Sequence, residues 1–287
     1  MYTSRSAPQR PGFTLVELLV VIGIIALLVG ILLPTLSQAR VSGQQVVCAS
    51  NLRQLGVGIS LYADDNKEWF PQSSHDHLHG IIPAWTQAGV PLELNSWIHT
   101  MREYIANVDE VRVCPAHQSA DKLLETTQTA VLPDGETVEL GLGTAYLFNY
   151  YLITEFQQQP SGSLVPVTVA DWRRRIALEN PVDTIVLMEA SEVDVAKLNE
   201  TNEDFDHTDA DRWFTSSNEA NWAQILSEVS PDRHVTNRSE RNDAGRANYL
   251  FADTHVAPIE AAAIRRQVFD RFDFSMPPND RVSAFFP

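Results

Sequence analysis

Apolar residues are spread unevenly along this 287-residue chain. Residues 13–34, FTLVELLVVIGIIALLVGILLP, form a nearly uninterrupted apolar run whose one charge is Glu17. As a helix the run spans roughly 30 Å, the depth of a bilayer's hydrocarbon core. Arg5 and Arg10 precede it and no acidic residue does. The positive-inside rule therefore predicts a cytoplasmic N-terminus, with residues 35–287 across the membrane. The run passes into Pro34, Thr35 and Leu36 without an Ala-x-Ala-like site, which argues against an ordinary secretory signal peptide. A plain signal anchor explains the length but not Glu17. A carboxylate at that depth costs about 2.5 kcal/mol or more and points to function.

Beyond Pro34 the pattern becomes periodic. Cys48, Leu52, Leu55, Ile59 and Tyr62 recur at spacings of four, three, four and three, one stripe of a helix, while Arg53, Gln54 and Ser60 lie off it. The helix is expected to run through residues 35–66, with Pro34 bending or loosening it and Asp64-Asp65-Asn66 closing it. Residues 67–287 read as a globular head. Thr129–Leu132 and Thr137–Leu140 flank the turn Pro133-Asp134-Gly135-Glu136, a hairpin signal. Thr184–Met188 predicts a central strand. Ala247–Phe251 and His255–Ile259 predict a second hairpin, and Glu260–Phe272 a helix with Ile264, Val268 and Phe272 on one face. Residues 155–166 and 197–245 are polar and read as insertions or long loops.

Composition narrows the partners. The net charge of −16 argues against nucleic acid, whose phosphates need a basic footprint. The two cysteines, Cys48 and Cys114, form no Cys-x-x-Cys motif, and an even pair in an exported head is compatible with one disulfide. Cys48 lies on the packing stripe, and Cys114 follows Val111-Arg112-Val113, an alternating run that reads as a strand ended by Pro115. A bridge between them would fasten helix to sheet, a gain of about 4 kcal/mol in the chain-entropy model. Two buried free thiols are the alternative.

Gly12-Phe13-Thr14-Leu15-Val16-Glu17 resembles the processing signal of type IV pilins and type II secretion pseudopilins. The resemblance implies that a membrane prepilin peptidase cuts between Gly12 and Phe13. Phe13 would then be N-methylated, Glu17 would be the fifth residue of the mature chain, and Pro34 would stand where the family often carries a helix-kinking proline. Glycine before the cut lets a protease approach the backbone closely. Cleavage leaves an amine on Phe13, and Glu17 of one subunit would pair with the Phe13 amine of its neighbour, setting the axial register of a filament. The segment CASNLRQLGVGISLYADDNKEWFP and the strand-turn-strand around Asp253 resemble pseudopilin-like proteins with a C-terminal His-x9-Asp-Gly motif. Here Thr254 replaces the glycine, and 18 residues separate His234 from Asp253 instead of the family's nine.

Other chemistry is sparse. Asp204, Asp206, Asp209 and Asp211 resemble the acidic calcium loop of pseudopilin heads, but the EF-hand glycine and glutamate are missing; a solvated acidic loop is the other reading. His75, His77 and His79 alternate in a loop-like context without an apparent fourth metal ligand. Arg173-Arg174-Arg175 reads as a solvated turn, and the six tryptophans as packing rather than a glycan surface. There is no Gly-x-Ser-x-Gly, His-Glu-x-x-His or phosphate-binding loop.

These features predict an α+β, pilin-like chain: leader 1–12, transmembrane helix 13–34, periplasmic helix extension 35–66 and head 67–287. It is expected to be a non-enzymatic pseudopilin of a type II secretion or related protein-transport machine. The implied location is the inner membrane, single-pass with a periplasmic head, and the implied partners are prepilin peptidase and other pilin-like subunits. A non-polymerising anchored module that binds glycan or surface protein is the alternative reading, and an anchored hydrolase a further one.

Overall fold

The computed structural model describes residues 14–71, 97–125, 127–131, 137–141, 143–153, 157–158, 164–165, 172–192, 208, 210, 213–214, 216–235, 243–270 and 274–275. The chain forms two units, Met1–Arg40 and Val41–Pro287. Helix α1 runs over Leu15–Asp65, 51 residues, with Pro34 inside it. In the first unit its large apolar side chains are exposed from Leu15 to Leu36, as a segment solvated by lipid requires. It is the one helix among the described residues that is long and apolar enough to cross a membrane.

In the second unit α1 becomes one-sided. Cys48, Leu52, Leu55, Ile59 and Ala63 are buried, Arg53 and Gln54 are exposed, and Tyr62 is half-buried against Tyr104 with ring centroids 5.7 Å apart. Gly56 and Gly58 complete the buried face. A Cβ on Gly56 would lie 2.7 Å from Leu250 Cδ1, and one on Gly58 would lie 2.6 Å from Ile105 Cδ1. The helix thus meets its neighbours at a distance that only glycine allows without displacing them.

The head is α+β. Its short helices are α2 (Trp97–Thr100), α3 (Val108–Val111), α4 (Ala120–Glu125) and α5 (Tyr150–Ile153). Two small antiparallel pairs stand apart: β1 (Thr127–Val131) with β2 (Thr137–Gly141), and β4 (Gln157–Gln158) with β5 (Leu164–Val165). The main sheet is antiparallel, in the order β3 (Tyr146–Phe148), β6 (Ile185–Glu189), β7 (Arg246–Phe251), β8 (Val256–Glu260). The expected central strand is β6, buried along its whole length. Both faces of the sheet are covered, so β6 shows a continuous apolar run and not an alternation. One core joins Cys48, Leu52, Leu55 and Ile59 of α1 to Tyr146, Phe148, Leu187 and Leu250. The other joins Leu147, Met188, Tyr249 and Phe251 to α6 (Asn218–Glu228) and α7 (Ala261–Phe269).

Several expectations are corrected. Val111-Arg112-Val113 is not a strand. Val111 closes the short helix α3 with its N–H on Asn107 O, and Arg112 is as buried as the valines beside it. Arg112 sits inside because its guanidinium donates to Gly143 O at 2.6 Å and Leu123 O at 2.8 Å. Burial outweighs the nearby Asp109 and lowers the Arg112 pKa. The polar stretch 197–245 holds α6, whose Trp222 and Ile225 fill the second core. Its amphipathic face is masked in the sequence by buried Asn221 and Glu228.

Arg173–Arg175 is no solvated turn either. Arg175 reaches Ser60 Oγ at 2.7 Å and Glu68 Oε2 at 2.8 Å, and pairs with Asp64. Arg173 lies over the Trp69 ring at 4.6 Å. Arg175 therefore ties the polar C-terminal end of α1, where a positive charge is favoured, to a segment more than 100 residues away in sequence, and Arg173 holds the residues just beyond the helix. Trp97, Trp213 and Trp222 are core residues, and Trp69 and Trp172 are half-buried; Trp85 lies outside the described residues.

Candidate functional site

The first site is the start of α1. Thr14 is the residue before the helix, and its Oγ1 accepts the Glu17 N–H at 3.2 Å. Glu17 Oε2 in turn accepts the Thr14 N–H at 2.9 Å and the Thr14 hydroxyl at 2.8 Å. This reciprocal pair is a capping box, which satisfies helix N–H groups that have no intrahelical partner. Glu17 thus has a local task inside its own chain in addition to the intermolecular one expected from the sequence. Gly12 and Phe13 lie outside the described residues, as do Asp204, Asp206, Asp209, Asp211, His75, His77 and His79.

The second site is a buried polar cluster beneath α1. The sequence paired Cys48 with Cys114 and noted His234 apart from them; the fold brings all three together. Cys48 on α1 and Cys114, after α3, are joined as a disulfide with Cα atoms 5.0 Å apart. Glu189, the last residue of β6, points at this bond, with its Oε1 3.8 Å from Cys114 Sγ. His234 Nε2 lies 3.0 Å from the same Oε1, and both side chains are fully buried. Asn248 on β7 donates from Nδ2 to Gln45 O at 3.1 Å and from its backbone N–H to Glu189 Oε2 at 3.3 Å. The cluster therefore locks α1, β6 and β7 together. The neighbouring Tyr146 and Tyr249 hydroxyls are raised in pKa, by burial first and by the Glu189 charge second.

A rim of charge borders the cluster. Arg233 pairs with Glu192 and donates to Ala190 O. Glu192 also accepts the Gln118 N–H at 3.0 Å and lies 3.2 Å from His117 Nδ1. Burial raises the Glu192 carboxyl, but Arg233, His117 and the Gln118 N–H outweigh it and hold it low. His117 is pulled down to about 4, by burial and then by Arg233, so it is neutral near pH 7. The Ser119 N–H donates to its Nδ1 at 3.1 Å.

His234 and Asp253 do not meet as a pair. The His234 N–H bonds Arg246 O at 2.9 Å, and so returns to the start of β7. Asp253 instead accepts from the His255 backbone N–H at 3.1 Å, in the β7–β8 turn. At Thr254, where the resembled motif carries glycine, φ is 74°, a left-handed conformation that suits glycine better than a β-branched residue. Glu189 and Asn248 were missed in the sequence, because a lone Glu after an apolar strand and a lone Asn in another carry no pattern.

Residues 9–33 match the family model of the prokaryotic N-terminal methylation motif. No curated protein and no solved structure matches the chain. The motif sits directly on a long exposed apolar helix that continues into an α+β head. The chain thus carries the methylation motif of type IV pilin- and pseudopilin-like proteins, set on a helix long and apolar enough to cross a membrane.

Proposed function

We propose that the chain is a structural subunit of a type II secretion or related envelope filament, a pseudopilin whose head lies on the periplasmic side of the inner membrane. Prepilin peptidase removes residues 1–12, and Phe13 becomes the methylated first residue. The observation that carries this reading is the methylation motif over residues 9–33, set on a helix whose large apolar side chains from Leu15 to Leu36 are exposed. Such a surface is served equally by lipid and by the same helix of a neighbouring subunit. In the filament, Glu17 pairs with the Phe13 amine of the next subunit, which offsets the cost of placing a carboxylate in hydrocarbon.

Glu17→Gln tests the pairing and separates it from capping, because a glutamine can still close the box with Thr14. The variant is expected to insert and be cleaved like the native chain but to be recovered poorly in the filament fraction. Native recovery would refute the charge pairing and leave Glu17 with its capping role alone.

A further inference from the structure

The buried cluster holds more polar chemistry than a disulfide needs. A disulfide is an apolar cross-link and calls for no neighbouring acid or base. Yet a carboxylate and an imidazole, both withdrawn from water, converge on it at a desolvation cost that their mutual contact does not automatically repay. His234 Nδ1 is also buried without a hydrogen-bond partner among the described residues. One ligand atom each from Cys48, Cys114, Glu189 and His234 lies within 4.8 Å of all the others. In a tetrahedral zinc site with sulfur, nitrogen and oxygen ligands, neighbouring ligand atoms stand about 3.3–3.8 Å apart. The His234 Nε2 to Glu189 Oε1 distance of 3.0 Å and the Cys114 Sγ to Glu189 Oε1 distance of 3.8 Å are close to that edge.

We propose that in its dithiol state this cluster is a zinc site with Cys48, Cys114, His234 and Glu189 as ligands, and that disulfide formation and zinc binding are mutually exclusive states of the same four residues. The donor set suits zinc: two thiolates and one imidazole favour a borderline-soft divalent ion over calcium or magnesium. Asn248, within 3.4 Å of Glu189 Oε1, would orient the carboxylate. Zinc binding by the two thiols releases two protons and changes no oxidation state. Conversion to the disulfide removes two electrons, passed to a small-molecule or protein disulfide that leaves as two thiols, and the zinc ion is released. Either state fastens α1 to the head, the disulfide through the segment after α3 and the zinc site through β6 as well, so the helix is held before and after oxidation.

The test uses the full chain in detergent, oxidised or reduced with a phosphine, dialysed against zinc or cobalt(II). The reduced chain is expected to retain one metal ion per chain by mass spectrometry of the elements, and cobalt to give the intense absorption of a tetrahedral thiolate site. The oxidised chain is expected to retain none. His234→Gln should weaken zinc retention by about tenfold or more against a chromogenic chelator. A reduced chain that retains no zinc overturns the proposal, and so does equal affinity in the native and His234→Gln chains. Native-chain metal content, oxidised against reduced, decides the matter even where the variant folds poorly.

Discussion

Replacing Gly58 with alanine would place a methyl carbon 2.6 Å from Ile105 Cδ1, 2.7 Å from Ile105 Cγ1 and 3.5 Å from Met101 Sδ. Two effects oppose each other. Alanine in a helix interior gains about 1 kcal/mol over glycine. Overpacking a filled core costs about 1–3 kcal/mol, and Ile105 has little room to yield because it is buried beside Val108 and Met101. The net expectation for Gly58→Ala is a loss of about 0–2 kcal/mol. Gly43, on the same helix, has nothing within 4 Å of its added carbon, so Gly43→Ala should gain up to about 1 kcal/mol. Guanidinium unfolding of the disulfide-intact chain in detergent, followed by tryptophan fluorescence, measures both; Trp97 is fully buried in the same core. Ile105→Ala removes both clashing atoms, so the double variant should show a favourable coupling of about 1 kcal/mol or more. Equal midpoints for Gly43→Ala and Gly58→Ala, or no coupling with Ile105, would refute the close approach of α1 to its neighbours.

The head should lose stability in mild acid through His117. Its pKa is about 4 in the fold and 6.5 when unfolded, so the unfolded chain takes up the proton first. Stability falls as pH drops from about 6.5 through about 4, by about 3 kcal/mol, and His117→Gln should remove that slope from the pH dependence of the unfolding midpoint. Thr254→Gly should raise the stability by about 1 kcal/mol, and with it the midpoint, by relieving a non-glycine residue with φ 74°; an unchanged or lower midpoint would show that the turn bears no strain.

The elements with strong local signals were legible in the sequence. The α1 stripe from Cys48 to Ile59 is buried as its spacing requires, and the hairpin of β7 and β8 forms around the turn at Asp253. What escaped was set by tertiary context. Val111-Arg112-Val113 alternates like a strand, but carbonyls from Gly143 and Leu123 make the interior hospitable to Arg112. Arg175 read as solvated because its partners Ser60, Asp64 and Glu68 lie over 100 residues away. The same reason hid the buried cluster. The Cys48–Cys114 pair was expected, but Glu189 and His234 come from two further distant segments, and no spacing rule connects them to the cysteines before the sheet has formed.

The proposed reading of the whole chain rests on a cut between Gly12 and Phe13, which lie within the matched motif. Mass spectrometry of the N-terminal peptide from membrane-extracted protein tests it most directly. The account predicts a mature chain that begins at N-methylated Phe13 and lacks Arg5 and Arg10. An intact Met1, or an N-terminus beyond residue 30, would contradict it and make α1 an ordinary anchor or an ordinary signal.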